Sequence, residues 1–287
     1  MAKEELFRRI IFIILAVPVV LFLIFSPLKY YLSISILILL LIILICLEFT
    51  SCLKNKQIYL NLPLFIIQSL LVLILFFIYS NLIINFELFI LLLITIFLAT
   101  SFFYIFKKNI SSQAIALFLH LFGLVYIALS LSSILIFYSS FSFASNLLLF
   151  FLLIVWSSNI FGYLIGLYWL PRKPLNLEVS PNKSTKGFFG AIFFGSFLPF
   201  LFILLFPKFF VFPFSNKFII FILIFFTNIF SIMGDLFESA FKRFCGVKDS
   251  SNYLKGFGGI LDSIDSILFA FPFYFSFLLL LFKNNIK

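Results

Sequence analysis

Apolar runs of about twenty residues alternate with short polar breaks along nearly the whole chain, and nine of them are long enough to cross a hydrocarbon layer as helices. They run approximately Phe7–Phe25, Tyr31–Phe49, Leu62–Ser80, Leu82–Phe106, Ala114–Tyr138, Asn146–Leu170, Gly187–Phe206, Phe218–Phe237 and Ile260–Phe282. The breaks carry turn or helix-stopping chemistry, from Ser26-Pro27 through Lys107-Lys108-Asn109 to Pro171–Pro181 and Pro207–Pro213. The third and fourth runs are joined by little more than Asn81, so their boundary is the least defined. The pattern predicts an all-α polytopic membrane protein, with N-terminal helices over residues 1–145 and a C-terminal region over 146–287.

Charge orients the spans. With the N-terminus inside, the inner segments hold Lys3, Arg8, Arg9, Lys54, Lys56, Lys107, Lys108, Arg172, Lys173, Lys183, Lys186, Lys242, Arg243, Lys248 and Lys255, fifteen of the twenty Lys and Arg. That alternating bias predicts a cytoplasmic N-terminus. The opening MAKEELFRRI has no small-residue cleavage site after it before Pro27, so it is expected to lead a retained first span.

Composition agrees, with 64% hydrophobic and only 10% charged residues, more apolar side chain than a water-soluble domain can cover. The net charge of +10 reads as basic loops lying against anionic lipid, and no basic polar domain exists that would hold a nucleic acid. Cys46, Cys52 and Cys245 lack metal-ligand spacing and read as small apolar residues, while His120 sits in an apolar run as a buried helix residue.

One stretch, Ser231 to Ser266, departs from the oily background. It carries the acids Asp235, Glu238, Asp249, Asp262 and Asp265, the bases Lys242, Arg243, Lys248 and Lys255, and Gly256, Gly258 and Gly259. Asp235, Glu238, Ser239 and Lys242 share one helix face, as do Asp262 and Asp265 at the start of the last span. Ionisable groups at membrane depth are costly and usually functional. Asp235, Asp262 and Asp265 together suit one or two hard cations such as Mg²⁺. The bland alternative is that Asp262 and Asp265 only favour a helix N-terminus. Glycines ahead of that helix let backbone N–H groups approach an anion. A second polar patch, Glu178–Gly187, offers Ser180, Lys183 and Lys186 to a phosphate at another helix start.

VSPNKSTKGFFGA (Val179–Ala191), GDLFESAFKRFCGVKDSSNYLKGFGGILDSIDS (Gly234–Ser266) and, more weakly, VWSSNIFGYLIG (Val155–Gly166) resemble the signature regions of bacterial phosphatidate cytidylyltransferase, also called CDP-diacylglycerol synthase. The resemblance covers about residues 150 to 287; the earlier spans match only in hydropathy. It implies a metal-dependent membrane enzyme of the bacterial cytoplasmic membrane that joins CTP to phosphatidic acid, releasing pyrophosphate. Such transfer depends on positioning and charge stabilisation more than on an elaborate base. Carried over, Asp235, Asp262 and Asp265 are the metal and catalytic carboxylates, with Lys248 also at the reaction centre. Lys242 and Arg243 hold phosphates, Asp249 orients the base, and Ser180 and Lys183 contact nucleotide or lipid phosphate. Gly258, Gly259 and Asn159 complete the substrate site.

The chain departs from that pattern. Phe257 stands where the family has His, Ser263 where it has Arg, Ser251 where it has Gly and Lys255 where it has Pro. Asn159 replaces an Asp, and Thr185 an aromatic. Two other readings stay open at this point: a binder of the same fold with weak or absent catalysis, and an ion or solute transporter. The transporter reading expects charges in the middle of several spans, and the spans before Asp235 carry only Glu48 and Glu87 near their ends. Pairing of two copies through apolar spans is compatible with the composition, though no small-residue pattern marks an interface.

Overall fold

The computed structural model describes residues 17–25, 32–105, 110–169, 173–181, 183–207, 209–210, 212, 216–254 and 258–282. Among them the regular structure is helical, with two isolated bridges, Pro174 to Ser184 and Leu254 to Gly258. Eight described helical spans are long and apolar enough to cross a membrane, so this is a multi-pass, all-α chain. The first predicted run, Phe7–Phe25, lies largely outside the described residues, of which 17–25 are helical. The chain divides into two compact units, Met1–Ser140 with Phe244–Ser263, and Phe141–Arg243 with Ile264–Lys287.

The first unit contains α1 (Leu32–Asn55), α2 (Leu62–Ser80) and α3 (Phe86–Ile105). Its last span joins α4 (Ile110–Gly123) to α5 (Ser130–Ser140) through a π-helical turn at Leu124–Leu129. α1 buries Ile38, Ile42, Ile45, Phe49 and Leu53, a stripe at helical spacing. It runs past the predicted end at Phe49 to Asn55; Thr50 Oγ1 donates to the Cys46 carbonyl at 2.9 Å, turning a polar side chain back onto its own helix. Glu48 therefore lies well inside a helix.

The boundary between the third and fourth runs also moves. Asn81 caps α2, Leu82 takes a left-handed φ of 58°, and Asn85 Oδ1 accepts the Leu88 N–H at 2.9 Å, so the next helix starts at Phe86 rather than Leu82. His120 is buried as expected, its Nδ1 3.1 Å from the Tyr104 hydroxyl.

The second unit contains α6 (Ala144–Tyr168), α7 (Thr185–Leu205), α8 (Lys217–Phe244) up to Arg243, and α9 (Ile260–Phe282) from Ile264. α6 and α7 meet through small residues. A Cβ at Gly187 would stand 2.8 Å from the Gly162 carbonyl, and one at Gly195 would stand 2.8 Å from Ser158 Cα. Without a hydrophobic drive inside lipid, such close backbone approach is what holds two spans together. Asn228 of α8 adds polar glue, its Nδ2 within 3.1 Å of the Ala191 and Ile192 carbonyls and of Ser196 Oγ. α8 runs beyond the predicted end at Phe237, because Glu238 and Lys242 pair at one-turn spacing and carry the helix into its polar end.

Candidate active site

In the second unit, Lys183 is set by a narrow loop. Leu175 N–H donates to the Lys183 carbonyl at 2.8 Å and Thr185 N–H to the Lys173 carbonyl at 3.0 Å, pairing residues 173–175 with 183–185. Ser184 then caps α7, its Oγ accepting the Gly187 N–H at 3.1 Å. So fixed, Lys183 extends to α8, with Nζ 2.6 Å from Asp235 Oδ2. Ser180 sits half-buried in the same loop, its N–H donating to the Leu177 carbonyl.

Asp235 follows Gly234, where α8 and α9 pack backbone to backbone. A Cβ at Gly234 would lie 2.8 Å from the Asp265 carbonyl oxygen and 3.1 Å from Ser266 Cα. Glycine is thus required for the crossing that brings Asp235 beside Asp265, whose side chain is buried and feels the charges of both Asp235 and Lys242. One turn on, Glu238 is buried and its Oε2 stands 2.7 Å from Lys242 Nζ. Thr227 and Ser231, fully buried on preceding turns, prolong the same polar stripe inward. Arg243 is exposed at the end of the helix.

In the first unit, Lys248 and Asp249 are exposed and Ser250 is buried behind them. Gly258 has φ of 84° and leaves no room for a Cβ, which would lie 2.5 Å from Asp262 Oδ2. Asp262, in the first turn of α9, accepts the Gly259 N–H at 2.6 Å, the Ser250 N–H at 2.9 Å and the Ser250 hydroxyl at 2.9 Å, all on Oδ2. The backward bond to the residue before the helix is the acidic half of a capping box. Glu48 of α1 takes the next amides: Ile260 N–H donates to Oε1 at 2.9 Å and Leu261 N–H to Oε2 at 2.8 Å. The N–H groups that the sequence assigns to a bound anion instead donate to the chain's own carboxylates.

Among the described residues, no three His, Cys, Asp or Glu side chains stand together at metal-ligating spacing. Asp235 and Asp265 offer hard carboxylate oxygen from neighbouring helices. That donor set suits Mg²⁺, which usually takes one or two carboxylates and completes its shell with water and substrate phosphate rather than a cage of protein ligands.

A sequence model of the cytidylyltransferase family matches residues 7–281. The chain belongs to the cytidylyltransferase family. Relatives with the name phosphatidate cytidylyltransferase are 41% identical over 130 residues in Bacillus subtilis, 45% of this chain and 46% of that protein. The Staphylococcus epidermidis protein is 37% identical over 136 residues, 47% of this chain and 50% of the relative. The Haemophilus influenzae protein is 40% identical over 144 residues, 47% of this chain and 46% of the relative. The chain spans about half the length of the relatives it matches.

Within this family member, Ser251 donates to Glu48 Oε1 at 2.6 Å, and Ser263 Oγ donates to the Gly259 carbonyl at 3.2 Å. Both substituted serines are thus absorbed into the start of α9. Asn159 is exposed on α6. Lys255, Gly256 and Phe257 lie outside the described residues. Glu48 is the residue that sequence reading passed over. Its signal was an acid within an apolar run, but nothing local tied it to a signature two hundred residues later.

Proposed function

We propose that this cytidylyltransferase transfers the cytidylyl group of CTP to phosphatidic acid. A lipid phosphate oxygen bonds to the α-phosphorus of CTP as the bond from that phosphorus to the α–β bridging oxygen breaks. CDP-diacylglycerol forms and pyrophosphate leaves. The observation that carries this reading is the Lys183–Asp235 ion pair, adjacent to the α8–α9 crossing at Gly234 and Asp265, in a chain of this family.

Asp235 and Asp265 would hold Mg²⁺, with Asp262 the third acid of the signature. When bound, the ion would neutralise the nucleotide phosphates and the departing pyrophosphate. In the second unit Lys183, Lys242 and Arg243 would supply fixed positive charge to phosphate oxygens and Ser180 a hydroxyl, and Lys248 has the same chemistry in the first. Asp249, exposed beside Lys248, has the acceptor chemistry to meet an amino group of the base. With the basic loops facing the cytoplasm, this chemistry would lie on the inner face of the bacterial cytoplasmic membrane, where CTP and the phosphatidic acid headgroup could meet.

The test is direct. Purified protein in phosphatidic acid micelles with labelled CTP and Mg²⁺ should form CDP-diacylglycerol and pyrophosphate in equal amounts. A folded protein that yields no product above background would overturn the reading.

A further inference from the structure

Glu48 is 1% exposed, and four donors converge on its carboxylate: the Ser250 and Ser251 hydroxyls at 3.0 and 2.6 Å, and the Ile260 and Leu261 amides at 2.9 and 2.8 Å. A buried carboxylate surrounded by neutral donors is held in one orientation, since any rotation strands a charge away from its hydrogen bonds. Ser250 also reaches Asp262 Oδ2 at 2.9 Å. One hydroxyl has one proton, so Ser250 gives it to one carboxylate at a time and couples the placement of both. Gly259 fits beneath this arrangement only because it lacks a side chain; a Cβ there would stand 2.6 and 2.7 Å from the two Glu48 oxygens.

We propose that Glu48 is a positioning residue for cytidylyl transfer: acting through Ser250 and the first amides of α9, it fixes the Asp262 carboxylate and the neighbouring Lys248-Asp249 pair. It touches neither substrate nor metal in this role. The proposal rests on the cytidylyltransfer reading above for its catalytic consequence, but its mechanical half stands separately. Ser251, a departure from the usual glycine, is part of the device, because it supplies the shortest of the four bonds.

The experiment compares the full-length wild type with Glu48→Gln and Ser250→Ala. Glu48→Gln keeps the shape but replaces one acceptor oxygen with an NH₂ that faces donors. Its kcat should fall by about 10- to 100-fold, and the half-saturating Mg²⁺ concentration should rise by a similar order, as for outer-shell partners of metal ligands. KM for phosphatidic acid should stay near wild type. Hydrogen exchange at the Ile260 and Leu261 amides should quicken about tenfold. Ser250→Ala should reproduce the kcat and Mg²⁺ shifts while those two amides keep their protection, an effect that general destabilisation would not give. Folded Glu48→Gln protein with wild-type kcat and Mg²⁺ requirement, or with unchanged exchange, would overturn the proposal. If Glu48→Gln does not fold, Ser250→Ala decides, and wild-type kinetics there refute it. If wild-type protein forms no product, the cytidylyltransfer reading fails, and exchange alone decides whether Glu48 fixes the loop.

Discussion

Lys183 Nζ meets Asp235 Oδ2 at 2.6 Å, joining a loop before α7 to a carboxylate on α8. Both side chains keep partial exposure, 27% and 35%, so water screens the pair and its contribution to stability is small, about 1 kcal/mol or less. On the proposed reading, Lys183 serves a bound phosphate more than the fold. Lys183→Ala should lower CDP-diacylglycerol formation by about 100-fold, the scale for losing one fixed charge donor. Its Tm should shift by less than about 4 °C. Unchanged turnover in a Lys183→Ala preparation would remove Lys183 from the site.

Asp235→Asn and Asp265→Asn preserve side-chain size and should each cut turnover by about 100-fold or more, without recovery at saturating CTP. Added Mg²⁺ should only partly restore Asp235→Asn, because Asp265 keeps one carboxylate for the ion. Steady-state rates across a Mg²⁺ titration check this. Equal, full activity in both variants would refute the carboxylate assignment.

Gly259 and Gly246 should respond differently to alanine. A Cβ at Gly259 presses on the Glu48 carboxylate and overlaps Ser250 Oγ, so Gly259→Ala should cost about 1–3 kcal/mol and most of the activity. Gly246 has φ of 73° and nothing within 4 Å of a new Cβ. Gly246→Ala should therefore cost about 1–2 kcal/mol of backbone strain while its activity stays near wild type. Thermal unfolding in detergent, paired with turnover, separates the two.

Cys245 lies just beyond the end of α8, buried, where desolvation pushes its thiol up from 9.0 to about 11 and the nearby Lys56 pulls part of the way back. Raised above its unfolded value, the thiol contributes stability below pH 9 that is lost as pH climbs through about 11. Alkylation of the Cys245 peptide by iodoacetamide should be slow at pH 8 and quicken toward pH 11, and Lys56→Ala should push that rise to higher pH. Mass spectrometry of the labelled peptide gives the profile; fast labelling at pH 8 would contradict it.

Hydropathy and proline placement made the spans from Tyr31 onward legible, since a membrane-crossing helix is written in continuous local sequence. Helix ends were less so. α1 and α8 continue past Phe49 and Phe237 because Thr50 and the Glu238–Lys242 pair support polar turns that a hydropathy reading treats as breaks. The shared helix face of Glu238 and Lys242 was legible from their spacing, and the Lys183–Asp235 pair was half visible as two charged patches. The role of Glu48 was not. Its four donors lie beyond residue 249, and no periodicity along α1 records a partner that distant.

That separation bears on how the protein is made. Ser250 follows Glu48 by 202 residues, so at about 5–20 residues per second the acid waits roughly 10–40 s after its own synthesis before its partners exist. α1 must therefore enter the bilayer with a carboxyl group that nothing yet satisfies, at a cost of up to about 3 kcal/mol. Nascent chains stalled before Ser250 should be the ones that quality-control proteases recognise, and release of the last span is the moment at which the span carrying Glu48 becomes secure.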